Sequence, residues 1–410
     1  MSSEQTCLPA PARGRAGRRL SSFALSLLLV EFLDEVLFGV HESAWPLIRD
    51  DLRLSYTQVG ILLSVPTLFG NFVEPALGIL ADVWKRRAVI LAGGVCYAAS
   101  TLLMGLSYDF VFLLLTTMVL SPASGAFVGL SQAALMDAAP DRREQNMARW
   151  TLFGAAGNAA GPVAVALAVW AGVSWRWLFA CVALFALVMV WAAWRLPFPT
   201  PSATEGATTR EALADGFREA WAALRRREVV RWLVLLHAGD FMADVLLGFL
   251  ALYFVDVVGA GGAQAATAVI VWTCVGLPGD FLILWVLERV RGLSYLRVST
   301  AAVVVIFPAF LLAEGLTAKL VLLGLLGFVN AGWYPILAAQ LYASMPGRSG
   351  TVMTVSNASG LVASLVPLAL GAFAQRHGLG AMMWLLWLGP VALLAGLLTA
   401  PRAGAGARGA

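Results

Sequence analysis

Twelve apolar runs, each long enough to cross a bilayer, succeed one another at roughly 21–45, 57–81, 87–106, 110–136, 147–171, 175–195, 230–256, 264–287, 293–313, 318–343, 350–374 and 379–399. In hydrocarbon every backbone N–H and C=O has to be paired within the segment, so runs of this length commit the chain to helices. Sixty per cent of the 410 residues are hydrophobic and 13% are charged, which excludes an ordinary soluble domain. Arg13, Arg15, Arg18 and Arg19 precede the first run without a small-residue cleavage site, so that run reads as a span and not as a removable signal. With the N-terminus inside, 23 of the 28 Lys and Arg residues fall on cytoplasmic segments; Arg49, Arg53, Arg176, Lys319 and Arg376 fall outside. This bias predicts an even number of spans, cytoplasmic termini, and no cation left within the membrane. A net charge of +4 carries no nucleic-acid signal. Cys7, Cys96, Cys181 and Cys274 lack metal-ligand spacing, and the last three read as packing residues.

The longest polar stretch divides the chain. A basic tail (1–20) leads into a first six-helix half (21–196), a linker (197–228), a second half (229–399) and a Gly/Ala/Arg tail (400–410). The linker opens on the flexible composition PFPTPSATEGATT and continues as an amphipathic helix, with Leu213, Phe217, Trp221 and Leu224 on one side. The expected fold is an all-α membrane protein of twelve transmembrane helices in two pseudo-symmetric six-helix bundles. The halves repeat weakly. Aligning Leu33-Asp-Glu-Val-Leu-Phe-Gly39 on Met242-Ala-Asp-Val-Leu-Leu-Gly248 sets Glu35 on Asp244 and Glu31 on Asp240. A three-residue shift in the next span sets Glu74 on Asp280, Asp82 on Glu288 and Lys85 on Arg291.

The first run is apolar and yet acidic, holding Glu31, Asp34, Glu35 and Glu42. At about 100° per residue, Glu31, Glu35 and Glu42 fall within about 40° on one face, with Asp34 and His41 flanking it. Carboxylates at membrane depth are costly and normally face a bundle interior or a watery path.

Gly78-Ile-Leu-Ala-Asp82-Val-Trp-Lys-Arg86-Arg87, between the second and third runs, resembles the signature loop of the major facilitator superfamily. Gly78, Leu80, Asp82, Arg86 and Arg87 match; Val83 and Lys85 stand where the family usually has arginine and glycine. The resemblance implies the major facilitator fold and a conformational latch built on Gly78, Asp82 and Arg86, with Glu288 as the repeat of Asp82. Gly157-Asn-Ala-Ala-Gly161-Pro162 resembles the GxxxGP motif of members that exchange substrates for protons outward. Physically it is a close-packing stripe, expected at the interface between halves with Pro162 bending the helix. Ser121 stands where exporters often place an arginine, four residues before Gly125. Taken with Asp50–Leu62, these stretches are most similar to the drug and metabolite:proton antiporter branch that includes the fosmidomycin-resistance exporters. The acidic first run departs from that branch.

Close carboxylates in an apolar site compete for a proton, and a cation entering the site would displace it. Glu31, Glu35, Asp240 and Asp244 are therefore expected to form the substrate and proton site, supported by Asp34, Glu74 and Asp280. Trp272, Trp333 and Tyr334 are candidate cavity aromatics for cation–π contact. The expected activity is proton-coupled export of a cationic or amphipathic small molecule by alternating access. The alternative is proton-coupled transport of a hard divalent metal ion, which carboxylate oxygens suit. His41-Glu42 does not continue as HExxH, since residue 45 is Trp, so no resident zinc site is expected. No enzyme motif and no cofactor site is seen, and the expected setting is a bacterial inner membrane, with the chain as a monomer.

Overall fold

The computed structural model describes residues 22–83, 86–138, 143–196, 222–345, 355 and 359–399. Twelve long helices fill them: α1 (Ser22–Leu52), α2 (Tyr56–Val83), α3 (Arg86–Gly105), α4 (Phe110–Ala138), α5 (Arg143–Trp170) and α6 (Trp175–Trp194). The second set is α7 (Arg227–Asp256), α8 (Gly262–Leu287), α9 (Gly292–Leu312), α10 (Leu316–Ser344), α11 (Ser359–His377) and α12 (Leu379–Leu398). Ten are long and apolar enough to cross a membrane by length and composition. Helix α1 is not among the ten, because every 18-residue stretch of it carries at least three charged residues.

Helix ends follow local chemistry. Asp109 caps α4 by accepting from the Phe112 N–H at 2.8 Å, and Ser174 caps α6. Four of the described helices are interrupted, α11 by a turn at Ser364–Leu365, α12 by one at Trp387, and α4 and α10 more markedly. In α4, Pro122 is followed by a π-helical turn at Gly125–Gly129, and such turns mark helices bent for a reason. In α10, Gly332 adopts a left-handed φ of 76°, which a residue without Cβ tolerates.

α1 packs along α5 and α6, α3 along α4 and α6, and α2 along α4; α7 packs against α10 and α12, and α8 and α9 against α10. The two bundles meet through α2 with α11, α5 with α8, and α1 with α7. We call the face where α1 begins and α12 ends the terminal face, and the other the far face. The outside of the bundles is apolar and carries exposed tryptophans. Trp170 and Trp177 sit toward the far face, and Trp191, Trp194 and Trp285 toward the terminal face. Arg195 stacks 4.1 Å over Trp191, the amphipathic pairing expected at a membrane boundary.

The packing reading of the cysteines changes, and one outer cation has an unexpected setting. Lys319, which the charge bias assigned to an outer segment, lies at the far-face end of α10 and is buried there. It is 7% exposed in the first turn of α10, and its Nζ donates to the Phe310 and Leu311 carbonyls and the Tyr253 hydroxyl at 2.9–3.0 Å. The cation caps the C-terminal end of α9, where free carbonyls and the helix dipole favour it. Cys96 and Cys181 are exposed on the outside of the first bundle instead of packed. The two tails and residues 197–221 of the linker lie outside the described residues.

Candidate functional site

A cavity of about 1300 Å³ lies between the bundles. On α1 its wall is the stripe Asp34, Leu37, Phe38, His41 and Glu42, a helical i, i+3, i+4, i+7, i+8 face. Opposite, α7 contributes Val230, Leu233, His237, Asp240, Phe241, Asp244 and Gly248 at the same periodicity. Glu74 enters from α2, Ser121 and Ser124 from α4, and Ser359 to Pro367 from α11. Five carboxylates thus line the space, three from one bundle and two from the other, and no Lys or Arg is among the described lining residues. Asp34 accepts from the Ser124 hydroxyl at 3.0 Å, and His237 Nε2 lies 2.8 Å from Ser359 Oγ. The π turn of α4 makes room for Glu74: a Cβ on Gly125 would meet its carboxyl group.

The acids divide differently from the repeat. Asp240 and Asp244 line the cavity, but Glu31 and Glu35 face α5. Asn158 Nδ2 donates to Glu35 at 3.0 Å, and a Cβ on Gly154 would lie 2.7 Å from Glu31 Oε1. The cavity opens on the flank of the acidic face, so Asp34, expected only in support, is a wall residue. Glu42, which the repeat did not single out, is another. Asp280 lies in α8 with its side chain outside the described set.

None of the three aromatic candidates lines the cavity, which corrects that expectation. Trp333 is 3% exposed and donates its indole N–H to Ser299 at 2.9 Å. Trp272 is buried against Gly327, and Tyr334 is 61% exposed, not in the cavity lining but with Asp240 and Asp244 among its charged neighbours. The Gly157–Pro162 stripe is also placed otherwise than expected. Gly161 and Pro162 touch Gly39, and Gly157 touches the Phe32 carbonyl, so the stripe closes α5 onto α1 within one bundle. Of the latch residues, Arg86 pairs with Asp137 of α4 at 2.6 Å and Glu288 is exposed after the end of α8. Gly78 and Asp82 lie in α2 with side chains outside the described set. No cluster of three or more His, Cys, Asp or Glu among the described residues is arranged to hold a metal ion, so the divalent-metal alternative gains no support.

The far end of the cavity is shut by contacts that sequence reading did not find. Arg49 of α1 makes a two-pronged ion pair with Asp256 of α7, one prong at 2.7 Å. The Tyr56 hydroxyl donates to the same carboxylate at 2.6 Å, and the Tyr56 N–H donates to Gln375 at 2.9 Å. Beneath them α2 and α11 touch backbone to backbone at Gly60 and Gly371, and Ser64 Oγ accepts from the Leu368 N–H at 2.9 Å. The sequence signal was faint: an Arg and an Asp at the far ends of the two repeated helices.

The sequence profile of the Major Facilitator Superfamily matches residues 27–367. The multidrug efflux pump SdrM of Staphylococcus aureus (strain N315) is 22% identical over 183 residues, 43% of this chain and 39% of that protein. Putative polyol transporter 1 of Arabidopsis thaliana is 25% identical over 130 residues, 32% of this chain and 25% of that one. The matched stretches thus span well under two thirds of these curated relatives. The solved nucleoside transporter NupG superposes with a TM-score of 0.74 at 15% identity, covering 92% of this chain and 98% of that one. A bacterial homologue of the human lysosomal transporter Spinster, inward-facing and unoccupied, superposes at 0.73 and 17% identity, covering 92% and 95%. At such identities the superpositions show the fold alone.

Proposed function

The chain belongs to the major facilitator superfamily and is a multi-pass membrane transporter, and on that premise we propose proton-coupled export of a cationic, amphipathic small molecule. The observation that carries this is the cavity between the bundles, with five carboxylates, apolar walls and no cationic residue among its described lining. Its volume exceeds the range of about 300–1000 Å³ typical of drug-sized ligands, leaving room for such a ligand with water. The 22% identity to a multidrug efflux pump and the GxxxGP-like stripe support the outward direction.

In this reading the terminal face is cytoplasmic, in line with the 23 Lys and Arg residues that the sequence assigns to cytoplasmic segments. The cavity reaches Leu224 and Val230 there, while the Arg49–Asp256 pair shuts the far side, so the conformer takes substrate from the cytoplasm. A carboxylate holds a proton or an organic cation, not both. Binding the cation releases protons; after the bundles rock, protons from outside displace the cation. The site acids are then Asp34, Glu74, Asp240 and Asp244 on the wall, with Glu31 and Glu35 supporting α1 from the α5 seam.

Purified protein in liposomes with an internal pH dye tests this, challenged with organic cations, divalent metals, anionic phosphonates and sugars. Proton flux triggered by organic cations, and lost in Asp34→Asn with Asp244→Asn, is the expected result. Flux with an anion or a sugar, or full activity in the double variant, would refute the substrate class.

A further inference from the structure

Of the five cavity acids, Glu42 is held in a different way from the rest. It is 5% exposed, and no protein group hydrogen-bonds its Oε2. That oxygen points across the bundle interface at α7: a Cβ added to Gly248 would lie 3.6 Å from it, and 3.1 Å from Leu63 of α2. The groups around it are few. From α7 the charged neighbour is Asp244, of like sign. From α1 come Trp45, whose indole N–H is directed at the Glu42 carboxyl group, and His41, whose Nε2 has no hydrogen-bond partner. The His41 ring rests 4.5 Å from the Trp45 ring and edge-on to Phe179 of α6. Arg49, two helical turns along α1, is committed to Asp256.

A buried carboxylate with an unmet oxygen and an acid for a neighbour is stable only with a positive charge supplied to it. The protein supplies none there, and the side chain borders the cavity, so the cation comes through the cavity. We propose that Glu42 is a cation-exchange site at the closed end of the cavity, taking in turn a proton and the cationic group of the substrate. This rests on the transport reading above and adds to it a residue and a place. The place matters: α1 and α7 carry Glu42 against Gly248 at one level and Arg49 against Asp256 two turns beyond. Exchange of proton for cation at Glu42 therefore takes place in the same α1–α7 seam that the latch closes.

Two measurements on the purified full-length protein test it: the affinity for tetraphenylphosphonium, and the protons released on its binding in weakly buffered solution. Wild type should release about one proton or more per bound cation. In Glu42→Gln, release falling by about one proton with affinity kept means that Glu42 holds the proton. Affinity falling by about tenfold or more means that it holds the charge of the substrate; both results support the site. Wild-type affinity together with wild-type proton release in Glu42→Gln overturns it. Should that variant not fold, Glu42→Asp draws the carboxylate back by one methylene and should weaken affinity or alter release by about threefold; no change in either overturns the proposal. A wild type that binds no tetraphenylphosphonium and releases no proton refutes the proton-coupled cation reading, and this site with it.

Discussion

Cutting the Arg49–Asp256 pair should swing the transporter toward a conformer open at the far face. The two side chains keep 16% and 17% of their exposure. That places the pair between an exposed ion pair, worth about 0–1 kcal/mol, and a buried one, whose broken half costs about 3–5 kcal/mol. The bidentate geometry and the Tyr56 hydroxyl on the same carboxylate argue for the middle of that interval, about 2 kcal/mol. Such a loss changes the ratio of closed to open conformers by about 30-fold. Spin labels on cysteines placed at Tyr108 and Glu314, exposed in far-face loops of opposite bundles, would report it as a distance distribution in a background lacking the four native cysteines. Arg49→Ala and Asp256→Ala should each populate a longer distance, and the double variant should be little worse than either. A coupling energy below about 0.5 kcal/mol, with an unchanged distribution, would show that the α2–α11 contact alone holds the far face and that the pair is ornamental.

Three further outcomes follow from packing. Gly157→Ala should lower thermal stability by about 1–3 kcal/mol, because the added methyl meets the Phe32 carbonyl and Glu35, whereas Gly129→Ala, with open space around it, should be neutral or slightly stabilising in the same melt. Lys319→Met should cost about 2 kcal/mol or more in a thermal or denaturant assay by orphaning the Phe310 and Leu311 carbonyls and the Tyr253 hydroxyl; an unchanged melting point would mean that those groups find other donors. Trp333→Phe should reduce stability by about 1 kcal/mol through the lost bond to Ser299 and leave substrate affinity within about twofold, since the ring does not border the cavity; a large affinity loss would return Trp333 to the site.

Much of the fold was legible in one dimension, because the bilayer imposes a one-dimensional rule. A segment crosses only if it is apolar for about 20 residues and helical throughout, so the twelve runs located the helices before any contact was known. The acids of α1 were conspicuous for the same reason: charge is rare where it is expensive. The linker break and the repeat of charges are what suggested two sets of six helices in the sequence.

Which acids meet the cavity was not legible. Glu31, Asp34, Glu35 and Glu42 sit on overlapping arcs of one helix, and the sequence carries no reference for the rotation of that helix about its own axis. The glycines of α5 set it: Gly154, Gly157 and Gly161 admit α1 closely, take up Glu31 and Glu35, and turn Asp34, His41 and Glu42 toward α7. The same holds for the latch, where Arg49 and Asp256 are 207 residues apart and ordinary in their local context. Hydropathy and charge are properties of a segment, and the sequence by itself therefore determined the spans, the two halves and the acidic character of the site. Helix rotation and inter-bundle pairing are relations between segments, set by where small residues allow backbones to approach, and only the tertiary structure decided them.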